Sequence, residues 1–335
     1  MRAAVVTAPG TVRVEERPDP DVEPGQVLVR TRLVGICGTD VAVVGGGVPV
    51  RLPRVMGHEM VGEVVHAPED SGVRTGDRVV VDPSLACGAC DPCRRDLKHL
   101  CVNGGLMGRD RDGCFADLLV ARADALHAVP PGLTLRDAAF VQVLSTCVHA
   151  QRLLGADLPE LAVVVGLGVT GLLHVQLLLA AGVETVVGVG RSPGKLARAA
   201  ALGAVVVTPE AAADAVGDLS RGAGSRVVVE SAGRIEALRT ASCLAAPGGD
   251  LLLFGTISPD ADGVPTYDWY RKELRVLNTR AARPDDLEEA VALLAGGRVR
   301  PGDLVTAEHP FEEVALAVAA AAQREQLKVL MSLGG

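Results

Sequence analysis

Apolar and polar positions change rhythm along this chain. Up to about residue 130 the apolar residues come in short runs, "RAAVVT", "QVLVRTRLVG", "MVGEVVHA", "DRVVVD" and "FADLLVA", parted by Gly, Pro and Asp. Such runs predict short strands joined by tight turns, an irregular antiparallel β domain. From about 161 to 278 the runs "LAVVVG", "TVVGVG", "AVVVT", "RVVVES", "DLLLFG" and "ELRVLNT" are nearly all apolar. Helical stretches separate them: "VTGLLHVQLLLAAG", "SPGKLARAAALG", a segment near 210–220, and "EALRTASCLA". Apolar strands alternating with helices predict a parallel sheet covered on both faces, a doubly wound nucleotide-binding fold. After it, "PDDLEEAVALLAGG" and "FEEVALAVAAAAQ" read as amphipathic helices that return to the first domain.

A chain of 335 residues has room for two such domains, each with its own core. No apolar run reaches the roughly 18 residues of a membrane span. The first residues, "MRAAVVTAPGTVRVEE", lack the apolar core of a secretory signal. A soluble, cytoplasmic protein with reduced thiols is expected. The 33 Lys and Arg against 41 Asp and Glu give a formal charge of −8, which disfavours nucleic acid or an anionic membrane as partner. Aromatic residues make up only 2% of the chain, so the cluster "YDWY", with Tyr267, Trp269 and Tyr270, stands out.

At the head of the parallel sheet, "VVVGLGVTGLL" spaces Gly166, Gly168 and Gly171 as G-x-G-x-x-G, with Val169 opening the helix. Those glycines suit a tight turn, close approach to a pyrophosphate, and helix packing on the strand. The second strand ends in Gly190, Arg191 and Ser192, with Lys195 beyond. No carboxylate stands there to hold a ribose 2′-hydroxyl, and a guanidinium can grip a 2′-phosphate, so NADP is favoured over NAD. The competing reading leaves Arg191 as a solvated loop residue of an enzyme that uses NAD.

Four of the eight cysteines fall in "CGACDPCRRDLKHLC", spaced Cys87-x2-Cys90-x2-Cys93-x7-Cys101. A disulfide or redox pair is disfavoured in a reducing compartment, an iron-sulfur cluster is open, and a closed four-thiolate structural zinc fits the spacing best. "GICGTD" and "GHEMVGEVV" offer Cys37, His58 and Glu59, the residue types of a second zinc site with mixed ligands. Taken singly, each also reads as an ordinary buried cysteine, core histidine or surface charge.

The order of "GICGTD", "GHEMVGEVV", the cysteine lobe, "DGCFADLLVARADALHAVP" and the glycine loop resembles that of the zinc-dependent medium-chain dehydrogenases/reductases, the alcohol, polyol and sugar dehydrogenase family. The resemblance spans essentially the whole chain. It implies an α/β protein with a GroES-like, β-rich catalytic domain, residues 1–145 and 282–335, and a Rossmann domain with its doubly wound parallel sheet, residues 146–281. It further implies two zinc ions per chain, one catalytic and one structural, and a homodimer or homotetramer.

Carried across, the resemblance makes Cys37 and His58 catalytic-zinc ligands and Glu59 a ligand or an alternate one. Thr39 matches the hydroxyl that relays the substrate proton, and Asp40 the carboxylate that orients the histidine. Gln142, in "AAFVQVLSTCVHA", stands where many relatives carry a Cys or Glu ligand, and Cys147 nearby is a competing candidate. Ala42 replaces the histidine that finishes the proton relay in many relatives, so protons must leave through the cofactor ribose and water or through another residue. Arg280 matches a position near the cofactor in polyol dehydrogenases. Arg51 and Arg54 could face an anionic substrate or simply be solvated.

The expected reaction is hydride transfer between a nicotinamide cofactor and a secondary alcohol, polyol or sugar-like substrate, or its carbonyl. Two alternatives stand beside it. One is a redox-neutral epimerase or lyase that keeps its nicotinamide bound. The other is a non-catalytic, zinc-stabilised nucleotide-binding protein.

Overall fold

Strand pairing divides where the apolar rhythm changes. In the computed structural model, which describes residues 1–258 and 260–334, the chain separates into two compact units. One holds Met1–Ser145 with Ala281–Gly335 and the other Thr146–Arg280, so the second crossing falls one residue before the boundary expected from the sequence.

In the first unit the strand Gln26–Ile36 is the organiser. It pairs antiparallel with Met60–His66, Leu118–Arg122 and Lys328–Ser332 in a seven-stranded sheet. Val27, Val29 and Thr31 point inward while Arg30 is exposed, the period-two pattern of a half-buried strand. A register shift between Thr31 and Leu33 breaks that alternation, and Val34, Gly35 and Ile36 are then all buried. A smaller sheet joins Arg2–Ala8 to Thr11–Glu16 and Arg54–Val55. Met56, Met60, Phe115 and Phe311 fill the core of this unit. The named strands up to residue 130 pair antiparallel, as their pattern predicts, and the C-terminal segment, read from sequence only as helices, adds two strands. Val305–Pro310 and Lys328–Ser332 pair in parallel, because the helix Val314–Ala321 carries the chain back between them.

The second unit is a six-stranded, all-parallel sheet. In chain order its strands are Leu161–Val165, Thr185–Val189, Val205–Val207, Ser225–Glu230, Ala245–Leu253 and Arg275–Asn278, and their spatial order is 3-2-1-4-5-6. Helices follow the strands, and the central strands are buried on both faces, as their unbroken valine runs require. The order reverses between the first and fourth strands, where such sheets open a crevice at the strands' carboxyl ends. Trp269 is turned into this unit's own core and donates its indole N–H to the Ser242 hydroxyl at 2.8 Å, while Tyr267 and Tyr270 are exposed. No described helix is long and apolar enough to cross a membrane.

Candidate functional site

Cys37 sits at the mouth of the short helix Gly38–Val44. Three residues on, the Asp40 carboxylate folds back to accept the Cys37 backbone N–H at 2.9 Å. Its other oxygen lies 3.6 Å from His58 Nδ1, so one buried carboxylate fixes both neighbours. Thr39 is half-buried, with its hydroxyl 3.8 Å from the Cys37 sulfur. Ligand atoms of Cys37, His58 and Glu59 all lie within 4.8 Å of one another.

Local backbone makes this convergence possible. Gly57 has φ +93°, and a Cβ there would lie 1.9 Å from the Phe115 ring. The turn into His58 and Glu59 therefore needs glycine both for its conformation and for its closeness to Phe115. Gly57→Ala should cost at least ~1–3 kcal/mol. It should also release the metal of this cluster while the cysteine lobe keeps its own. Metal content per folded chain checks this, with full occupancy of both sites as the contrary result.

The charges here are unusual for a core. Glu59 is 1% exposed and Lys328 2% exposed, and the lysine ammonium donates to Glu59 Oε2. Burial pulls the His58 imidazole down, but Asp40 and Cys37 outweigh it and hold its pKa well above the ordinary value. Cys114, wholly buried, is held well above the ordinary thiol value by burial and then by the Asp40 and Glu59 charges. The Cys37 thiol, the His58 imidazole and the Glu59 carboxylate form a donor set suited to a divalent cation.

Gln142 lies half-buried in the first turn of the helix Val141–Arg152, where its carbonyl accepts the Ser145 hydroxyl at 2.6 Å. Cys147 is wholly buried, its sulfur 3.9 Å from the Thr170 carbonyl, and burial raises its thiol pKa. It does not belong to the Cys37 cluster among the described residues. Arg54 is neither solvated nor open to an anion, because it pairs with Asp112 at 2.9 Å with its side chain only 12% exposed. Arg51 is exposed. Lys328 escaped the sequence reading, although a lone lysine within the apolar run "LKVLM" was a usable signal.

The second cluster is the cysteine lobe. Ligand atoms of Cys87, Cys90, Cys93 and Cys101 lie within 4.8 Å of one another, and Cys90 Sγ is 3.4 Å from Cys93 Sγ and 3.6 Å from Cys101 Sγ. These separations exceed the ~2.05 Å of a disulfide. They sit near the ~3.8 Å between sulfurs on a tetrahedral zinc. The backbone N–H groups of Ala89 and Cys90 lower the Cys87 thiol to about 6. Burial and then the neighbouring sulfurs raise Cys93 to about 12. Four sulfurs leave no open ligand position, so the cluster can hold a loop but offers substrate no place.

In the parallel unit, Gly166 has φ +98°, and a Cβ on Gly171 would lie 1.8 Å from the Gly166 carbonyl oxygen. The helix Val169–Ala180 therefore starts flush against the first strand. At Gly168 a Cβ would meet nothing within 4 Å, and no side chain caps this helix. Open space before uncapped N–H groups is what a pyrophosphate needs. Just past the next strand Gly190 packs under Leu167, and the Ser192 hydroxyl accepts the Lys195 N–H at 3.3 Å to cap the following helix. Arg191 is exposed beside Glu210, whose carboxyl is held low by its own backbone N–H and the Thr208 hydroxyl, and lastly by Arg191. Arg280 is exposed beyond the last strand.

With this geometry in view, similarity to known proteins identifies the class. The alcohol dehydrogenase GroES-like domain pattern matches residues 23–131, and the zinc-binding dehydrogenase pattern residues 169–296. The chain is 31% identical to a sorbitol dehydrogenase of Halalkalibacterium halodurans, covering 99% of both chains. It is 33% identical to D-altritol 5-dehydrogenase of Agrobacterium fabrum, covering 94% of both. Its fold superimposes on alcohol dehydrogenase TADH from Thermus sp. ATN1 with a TM-score of 0.92, 30% identity and complete coverage of both chains. A zinc-binding dehydrogenase from Sinorhizobium meliloti 1021, solved bound to NADP, gives a TM-score of 0.91 at 30% identity, covering 99% of this chain and 98% of that one. The chain belongs to the zinc-dependent medium-chain dehydrogenase/reductase family. It is an oxidoreductase that moves a hydride between a nicotinamide cofactor and an alcohol carbon.

Proposed function

We infer that this enzyme oxidises a polyol or sugar-like secondary alcohol with NADP, or reduces the matching carbonyl, using one catalytic and one structural zinc. The convergence of Cys37, His58 and Glu59 over Asp40 carries the reading, because a structural role alone needs only the cysteine lobe. Zinc supplies a Lewis acid that lowers the pKa of a substrate hydroxyl, and the nicotinamide supplies the hydride acceptor. Cys37 and His58 would hold the ion with Glu59 or Gln142 completing the set, and Asp40 would orient the His58 ring from Nδ1. The engagement of Glu59 by Lys328 supports Glu59 as the alternate ligand. Thr39, beside Cys37, would accept the substrate proton and release it to water, since Ala42 offers no base.

Relatives acting on sorbitol and altritol support the polyol class. The NADP found with the Sinorhizobium structure, and Arg191 in place of a carboxylate, support NADP. Eight unbridged cysteines fit a cytoplasmic location. The exposed Tyr267 and Tyr270 pair, close in sequence to the sheet's edge strand Arg275–Asn278, fits assembly into a homodimer or homotetramer.

Metal content per chain, measured beside NADP and NAD reduction over polyols, sugars and simple secondary alcohols, tests the reading. Two zinc ions and NADP-linked turnover on a polyol are expected. Turnover of substrate without net change in nicotinamide absorbance would instead identify a redox-neutral enzyme. Arg191→Ala should raise the KM for NADP about 10–100-fold and leave that for NAD nearly unchanged, the loss of a charge-assisted hydrogen bond to phosphate. Equal effects on both cofactors would remove Arg191 from cofactor selection.

A further inference from the structure

Glu230 ends the fourth strand of the parallel sheet, opposite Val165 of the first, at the point where strand order reverses. Its side chain is fully buried, and among the described residues only backbone N–H groups offset its burial. Burying a carboxylate without a cation is costly, so what it holds there matters. Oε1 accepts the N–H groups of Ala232 at 2.8 Å and Gly233 at 2.9 Å. The Glu230 main-chain oxygen accepts those of Phe254 at 2.9 Å and Gly255 at 3.0 Å. One residue thus ties together the loops that leave the fourth and fifth strands.

Those loops touch backbone to backbone. A Cβ at Gly255 would lie 2.2 Å from the Gly233 nitrogen and 2.6 Å from Glu230 Oε2. The first loop also abuts the glycine turn. A Cβ at Gly166 would lie 2.8 Å from the Ala232 nitrogen, Ser231 N–H donates to the Val165 carbonyl at 2.8 Å, and the Thr170 and Ser231 hydroxyls are 2.8 Å apart.

We propose that Glu230 is a positioning residue for the nicotinamide cofactor: its two oxygen acceptors lock residues 231–233 to residues 254–255 and set this wall of the dinucleotide crevice against the Gly166 turn. The proposal rests on the dinucleotide binding at the carboxyl end of this sheet. A wall fixed before binding spares the cofactor the cost of ordering two loops. The role depends on reach and acceptor geometry, so glutamine can fill it and the shorter aspartate cannot.

The test compares zinc-loaded wild type, Glu230→Gln and Glu230→Asp by NADPH affinity, KM for NADP, kcat and thermal midpoint. Glu230→Gln should bind NADPH within about threefold of wild type, and Glu230→Asp about tenfold more weakly, as expected for two lost hydrogen bonds. In Glu230→Asp the cofactor KM should rise with kcat changed by less than about twofold. Glutamine weaker than aspartate overturns the proposal, because charge would then matter more than reach. Unaltered affinity in both variants with a lowered midpoint overturns it too, leaving Glu230 a structural residue only.

If the aspartate chain does not accumulate folded, amide exchange in the wild type decides. The N–H groups of Ala232, Gly233, Phe254 and Gly255 should exchange slowly and together before cofactor is added. Exchange in two independent groups, or protection gained only with NADPH, overturns the clamp. Wild type that binds no nicotinamide cofactor at all would remove the cofactor reading itself, an outcome distinct from every variant result.

Discussion

Replacing Cys37 by alanine is expected to abolish turnover while leaving the parallel unit and the cysteine lobe intact. Cys37 contributes a sulfur to the cluster, but the helix it precedes is held by the Asp40 carboxylate on the Cys37 backbone N–H, which alanine keeps. The fold around the site should therefore survive. A Lewis acid at the reacting oxygen contributes several kcal/mol of transition-state stabilisation, so kcat should fall by about three orders of magnitude or more. Zinc should drop from two ions per chain to one, with NADPH affinity unchanged. Cys101→Ala is the companion experiment. It should also lose one zinc, but its cost should fall on stability, because four sulfurs leave no place for substrate. A Cys37→Ala enzyme within tenfold of wild-type kcat would falsify the catalytic assignment, and a Cys101→Ala enzyme that is stable but inactive would place the chemistry in the lobe.

The parts of this molecule legible from sequence are those written in local patterns. Valine-rich runs such as "LAVVV" and "RVVVE" demand burial on both faces, and the observed strands Leu161–Val165 and Ser225–Glu230 lie at the centre of the sheet. The spacing from Cys87 to Cys101 placed four sulfurs in one short loop, and they converge. Cys37 and His58 are twenty-one residues apart, so their residue types suggested a zinc site, but it took the family resemblance to favour that over ordinary buried residues. The least legible features are long-range pairings of single residues. Lys328 lies 269 positions from Glu59, and no periodicity reports that a strand near the C-terminus will set an ammonium beside that carboxylate. Arg54 misled for the same reason, since Asp112, its partner, is 58 residues away. Glu230 was visible only as the polar end of an apolar run, and its role at the crevice depends on backbone N–H groups that side-chain patterns do not encode.

Lys328→Met should be the most destabilising single change in the first unit. The ammonium and the Glu59 carboxylate are both almost wholly removed from water, and Lys328 lies within a strand whose neighbours Val329, Leu330 and Met331 are fully buried. Methionine replaces the lysine stem at little packing cost, but it leaves Glu59 as an uncompensated buried charge. Breaking such a pair from one side costs about 3–5 kcal/mol. For a unit of this size that corresponds to a fall of roughly 6–20 °C in the thermal midpoint. The double variant Lys328→Met with Glu59→Gln should recover most of the loss, because the orphaned charge is gone, and the cycle should show a coupling of at least ~2 kcal/mol. Run at saturating zinc, the same cycle separates the two possible roles of Glu59. If the ammonium holds the carboxylate away from the metal, Lys328→Met should bind zinc more tightly than wild type, since the freed carboxylate gains a cation in place of the lost one. If the destabilised variant instead binds zinc as wild type does, Glu59 serves the fold through Lys328 and takes no part in holding the ion.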